Sequence, residues 1–182
     1  MGPIAYSLCQ KPVIGLVMHI TFACSFPPLI ADQPLALSEA GVTASTAFSV
    51  PVDKRYSLDL TFAFQNAWAM RQDEIVGSRY DKHCEPGVNY GDIPVAQLPG
   101  LGRPIPFRVA VQRKSDKAVV IERTFTSLCK VSGGIDRARK TRQIGRLDLT
   151  RGEYILVITN LERQAGLDGV ATSFSLVPGH GK

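Results

Sequence analysis

Histidine is scarce in this chain of 182 residues, which contains three. His19 lies in an apolar N-terminal run and His180 close to the C-terminus, so His83 is the one histidine of the body. That inventory is thin for a triad hydrolase, which needs a base, and for a metal site, which needs several ligands. A Gly-x-Ser-x-Gly elbow, a phosphate-binding glycine loop and a His-Glu-x-x-His helix are all absent. There is no internal repeat. Strong charge asymmetry is also missing: the net charge is +5 and the pI about 9.2, with both signs interspersed. A mild, scattered excess argues for solubility rather than nucleic-acid binding, and no aromatic residues interleave with the basic ones to line a single-strand groove. Long apolar runs are lacking too. The longest, Pro12 to Ala23, has about a dozen residues, short of the roughly 20 that span a bilayer.

That run is nevertheless the most informative feature present. Lys11 precedes it, Cys24 ends it, and the length suits the h-region of a secretory signal. A small residue followed by cysteine at the end of such a run resembles the site where bacterial lipoproteins are cut and acylated, although Thr21 stands where Leu, Val or Ile is usual. The expected organisation is a lipoprotein signal over 1–23, a proline-containing tether over 24–40 and one domain over 41–178. Lipidation would fall on Cys24, with Ser25 after it, and the protein would face the periplasm from the outer membrane. A plain secretory signal cut near Ala31, or an ordinary buried helix or strand, are the competing readings.

Beyond Gly41 the pattern has a period of two. Val42, Ala44, Thr46, Phe48 and Val50 share one strand face, as do Leu58, Leu60, Phe62 and Phe64. Asn66 offers an N-cap and Gly77 a stop, predicting a helix of about ten residues whose Trp68, Ile75 and Val76 meet the sheet. Residues 81–104, rich in proline, read as a long loop. A hairpin follows over 105–126, turning at Ser115-Asp116; then comes a basic loop over 130–142 and strands at 143–149, 153–161 and 170–177. About seven short strands with one short inserted helix predict an all-β fold, an antiparallel immunoglobulin-like or C2-like β-sandwich. Tyr154 reads as a corner tyrosine, structural rather than functional.

Candidate sites are few. Cys84 and Cys129 remain once Cys9 and Cys24 are assigned to the signal, an even number that suits an oxidising compartment. A bridge between them would close a loop of 45 residues and stabilise by roughly 3–4 kcal/mol; two free thiols are the alternative. Asp81, His83, Cys84, Glu85 and Asp92 crowd one loop without metal-site spacing, so no metal is expected. Asp73 and Glu74 are neighbours that point apart, which makes a catalytic carboxylate pair improbable. No catalytic residue and no cofactor are expected. The basic run Arg137, Arg139, Lys140, Arg142 and Arg146 is the strongest charge feature, readable as a solvated loop and strand edge or as a surface for an acidic partner or anionic headgroups. Arg137, Arg139, Lys140 and Arg142 are the expected partner contacts.

YSLDLTF beginning at Tyr56, PIPFRV at 104–109 and LDLTRGEYILVI at 147–158 together resemble DUF5625, a family of small proteobacterial lipoproteins with a β-sandwich domain. Related periplasmic lipoproteins are often immunity proteins against toxins delivered by type VI secretion, lipases among them. The resemblance therefore implies a non-enzymatic, membrane-anchored protein that binds a toxin or other protein partner, and no nucleic acid. An envelope structural or small-ligand-binding module is the alternative.

Overall fold

The computed structural model describes residues 27–79, 90–128, 130–134 and 138–179. Strands β1 (Ile30–Pro34), β2 (Thr43–Val50), β3 (Lys54–Ala63), β4 (Ile105–Arg113), β5 (Val119–Ser127), β6 (Lys130–Gly134), β7 (Arg139–Leu149), β8 (Gly152–Asn160) and β9 (Ala171–Pro178) form two antiparallel sheets. One has the order β1-β9-β3-β7-β6 and the other β2-β8-β4-β5. The architecture is the expected β-sandwich, with more strands than anticipated.

Period-two alternation builds it. In β3, Tyr56, Leu58, Leu60 and Phe62 are buried while the residues between them are not. Val109 and Val111 of β4, Leu156 and Ile158 of β8, and Phe174 and Leu176 of β9 are fully buried in the same core. Each such side chain contributes roughly 1.5–3 kcal/mol by leaving water. Two tyrosines close the corners. The Tyr154 hydroxyl donates to the Thr150 carbonyl at 3.1 Å, as expected for a corner, and Tyr56 does the same to Val52 at 2.9 Å. Phe48 stacks on Tyr154 with centroids 5.7 Å apart.

Several expectations need correction. The segment expected to be a tether contains β1, and Leu35 and Leu37 beyond it are buried in the core. Proline is tolerated there because β1 is an edge strand, where a missing N–H costs no ladder bond. The basic loop is instead β6 and the start of β7. The helix, α1 (Ala67–Gln72), has six residues rather than about ten. Asn66 does cap it, accepting from the Ala69 N–H at 2.9 Å. It stops early because the Asp73 side chain turns back to accept from the N–H groups of Ile75 and Val76. With the helix cut short, Ile75 and Val76 no longer share its face; Met70 is buried and Trp68 is not.

Candidate functional site

The site is assembled around a bulge. Strand β7 pairs with β3, and the register shifts where Leu58 faces Gly145 and Asp59 faces Gln143, leaving Ile144 as the extra residue. A bulge reverses the alternation beyond it. On the far side Leu147 and Leu149 point into the sandwich; on the near side Lys140 and Arg142 do, opposite Phe62 and Leu60. Gly145 sits at the reversal, where a Cβ would lie 2.4 Å from the Phe125 ring.

Two cations thus lie on the inner face, and both are held. The Lys140 ammonium pairs with the Asp73 carboxylate at 2.6 Å, donates to the Asp73 carbonyl at 3.1 Å and rests over the Phe64 ring. Arg142 is fully buried and donates to the carbonyls of Arg103 at 2.8 Å, of Ile75 and of Ser127. Burial pulls its guanidinium down to about 9, with the Asp73 charge opposing. Three carbonyl acceptors keep the charged form the serviceable one at neutral pH.

These bonds fasten the long insertion that separates β3 from β4. Its two strips, 75–79 and 100–103, run against one another: the Arg103 N–H donates to Ile75 at 2.7 Å and the Ser78 N–H to Gly100 at 2.9 Å. Gly77 and Gly102 have φ of +86° and +83°, and a Cβ on either would meet the opposite strip's backbone within 2.8 Å, so only glycine fits. The Arg79 guanidinium reaches back to Pro99 and Gln97. Ile93 and Leu101 give the insertion a small apolar core of its own. The loop between β8 and β9 joins the assembly through Arg103, which donates to Ala165 at 3.0 Å.

On this braced platform two large apolar side chains face solvent. Trp68 is 72% exposed and Val95, in a short 3-10 turn (Val95–Gln97), is 82% exposed. Helical spacing had placed Trp68 against the sheet.

Of the residues singled out from sequence, Arg139 and Arg146 are exposed, whereas Lys140 and Arg142 are buried and unavailable as a contact surface. The basic run is thereby divided between surface and interior. Cys24, Cys84, Cys129 and Arg137 lie outside the described residues, as do Asp81, His83 and Glu85. Asp92 is exposed. Asp73 and Glu74 do diverge, the first buried against Lys140 and the second exposed. Among the described residues no three His, Cys, Asp or Glu side chains converge as metal ligands, and no helix is long and apolar enough to cross a membrane. The bulge did have a sequence signal, an isolated glycine inside the strand pattern.

The domain of unknown function DUF5625 matches residues 32–178, from β1 to the end of β9. The chain belongs to the DUF5625 family. Its fold is similar to that of a protein from Sulfurospirillum deleyianum known from a crystal structure, with a TM-score of 0.65 and 21% identity over 85% of this chain and 100% of that one. At that identity the likeness concerns fold alone. No curated protein matches the chain.

Proposed function

We propose that this DUF5625 protein is a non-enzymatic, lipid-anchored envelope protein that captures a protein partner, most concretely a phospholipase-type toxin delivered by type VI secretion. The observation that carries the reading is Trp68, the chain's single tryptophan, 72% exposed on a helix whose end is pinned by a buried ion pair. Tryptophan is over-represented among the residues that dominate interface energies, and one held on a braced support loses little freedom on binding. Val95 is a second exposed apolar side chain on the same insertion, and exposed Arg139 adds charge at the start of β7. Lys140 and Arg142 act as positioning residues beneath that surface.

The test is protection. The product of the adjacent gene is directed to the periplasm with and without this protein. Rescue of growth, a complex on gel filtration and a loss of affinity of about thirtyfold or more in Trp68→Ala are expected, the last from a truncation cost of about 2 kcal/mol. Equal killing in both cases, with no complex, would leave the small-ligand or structural envelope module as the better reading.

A further inference from the structure

The two sheets end in four edge strands, β1, β6, β2 and β5, and a bare edge recruits other strands. Three of these edges are blunted. Strand β1 is short, carries Pro34 and steps irregularly at Asp32. Strand β5 bears exposed Glu122 and Arg123 and shifts register opposite Val111 and Gln112. Strand β6 is short, shifts register between Lys130 and Ser132, and ends in Gly133 and Gly134. Strand β2 has none of these devices. Its sequence, TASTAFSV, contains no charge, proline or glycine, and it pairs with β8 without a shift from Thr43 to Val50.

The bonding of β8 shows which way the backbone groups of β2 turn. At one end the Asn160 N–H donates to the Val42 carbonyl, and on the other side of β8 the Lys114 N–H donates to the Glu153 carbonyl, each at 2.9 Å. Bonding direction alternates along an antiparallel strand, so both bonds give one answer. Ala44, Thr46, Phe48 and Val50 bond to β8, while Thr43, Ser45, Ala47 and Ser49 turn their N–H and C=O groups outward. Among the described residues nothing bonds to those outward groups. The side chains of the same four residues are small, uncharged and exposed.

We propose that β2 pairs antiparallel with β2 of a second copy about a two-fold axis at Thr46, joining two four-stranded sheets into one continuous sheet. The strand is its own complement in that register. Thr43 falls opposite the partner's Ser49, and Ser45 opposite the partner's Ala47, so every outward N–H and C=O of both copies finds a partner. On the inner side Thr46 meets its equivalent, and Phe48 meets the partner's Ala44, a large side chain against a small one. No charge meets a like charge. The same operation centred on Glu122 or Arg123 of β5 would set equal charges opposite one another. The proposal does not depend on the toxin-capture reading.

The test uses the full-length protein. In cells, the photoreactive residue p-benzoylphenylalanine in place of exposed Thr43 should give, on irradiation, a cross-linked species of twice the mass. Mass spectrometry should place the link at or beside the partner's Ser49, and the same probe in place of Val120 on β5 should give no such species. Purified protein should show a monomer–dimer equilibrium in sedimentation velocity. Ala47→Pro removes an outward N–H that β8 does not use, and Ala47→Lys adds a charge of the kind that guards other edges. Each should weaken dimerisation by about tenfold or more while the circular dichroism spectrum stays unchanged. Ser45→Lys and Ala47→Glu, each weak alone, should form a mixed dimer in which the two new side chains face one another. A monomer at every concentration, a dimer undiminished in both Ala47 variants, or no preference for the mixed dimer would overturn the proposal. So would an equal cross-link from Val120, or a cross-link from Thr43 to a different protein in place of a second copy.

Discussion

Removing the Lys140 ammonium is the sharpest test of how the insertion is held. In Lys140→Met the Asp73 carboxylate, whose side chain is 6% exposed, stays buried and loses its only ion-pair partner among the described residues. It keeps the N–H donors of Ile75 and Val76, at 3.2 and 3.1 Å, which soften the penalty without neutralising the charge. Stranding one member of a buried pair costs about 3–5 kcal/mol. Asp73→Asn strands the ammonium instead, at a comparable cost. The asparagine can still accept from Ile75 and Val76, so the double variant Asp73→Asn/Lys140→Met removes both charges while the turn that ends α1 survives. It should lie closer to wild type than either single variant, with a remaining loss made of the neutral hydrogen bonds, roughly 1–2 kcal/mol, and of the Asp73 charge that supports the buried Arg142.

Guanidinium unfolding should be followed by far-UV circular dichroism for the sheets and by Trp68 fluorescence for the insertion. Coincident transitions in Lys140→Met would mean that the insertion and sandwich unfold together; an earlier fluorescence transition would mean that the insertion opens first, and the free energy is then read from that probe. Additive single-variant effects in the double variant, or a loss below about 1 kcal/mol in Lys140→Met, would refute a buried pair that fastens the insertion.

Three other outcomes are expected. Gly145→Ala pushes a methyl group into the Phe125 ring and should destabilise by about 1–3 kcal/mol in the same unfolding assay, with Gly145→Ala/Phe125→Leu recovering part of the loss. The hydrogen bond from Arg55 holds the Asp148 carboxyl below the usual range, so the native form binds that proton more weakly than the unfolded chain. Its stabilisation is therefore present above the usual carboxylate range and lost as pH falls through the lowered value; because the pair is exposed, the acid-side decline in Tm should be slightly shallower in Asp148→Asn and the difference should vanish in high salt. Cys24→Ala should abolish incorporation of a fatty-acid probe and release the protein from the membrane fraction, whereas an unlabelled wild type would remove the lipoprotein reading.

What could be read from sequence was governed by how strictly local chemistry binds the chain. Leu58, Leu60 and Phe62 alternate without interruption and all are fully buried, so β3 was legible, as was the cap at Asn66. Strand β1 was not. Its alternation is broken by Pro34 and by Asp32, whose φ of 44° marks an irregular step, and its pairing to β9 is long-range. Trp68 was misplaced for a single reason: the spacing rule assumes a continuous helix, and the Asp73 side chain ends this one before the spacing can repeat. The sequence pattern puts Lys140 and Arg142 in a basic loop, and extending the strand at 143–149 back to them would still misplace them. Counted back from Leu149 at strict period two, both face solvent; one extra residue at Ile144 turns them inward. Composition cannot reveal that. A charged side chain at an inward position is found only when the acceptors are known, and those of Arg142 come from Ile75, Arg103 and Ser127, far apart in sequence.

The inward turn of the two cations also changes which kind of recognition the protein can support. A run of basic residues all facing solvent would favour fast, salt-sensitive capture of an acidic partner. With Lys140 and Arg142 buried, Arg139 and Arg146 are the exposed cations among the described members of that run, and the insertion mixes exposed Arg71, Arg79 and Arg103 with Glu74 and Asp92. Such a surface has little net field to steer an encounter. What it offers is an indole and a valine in solvent on a support tied to β7 by Lys140 and Arg142, the latter bonded in turn to the Ser127 carbonyl at the end of β5. Affinity on such a surface would come from apolar contact and pre-organisation, expressed in a slow off-rate rather than a fast on-rate. Trp68→Ala should therefore act mainly on dissociation, and association should change little with ionic strength.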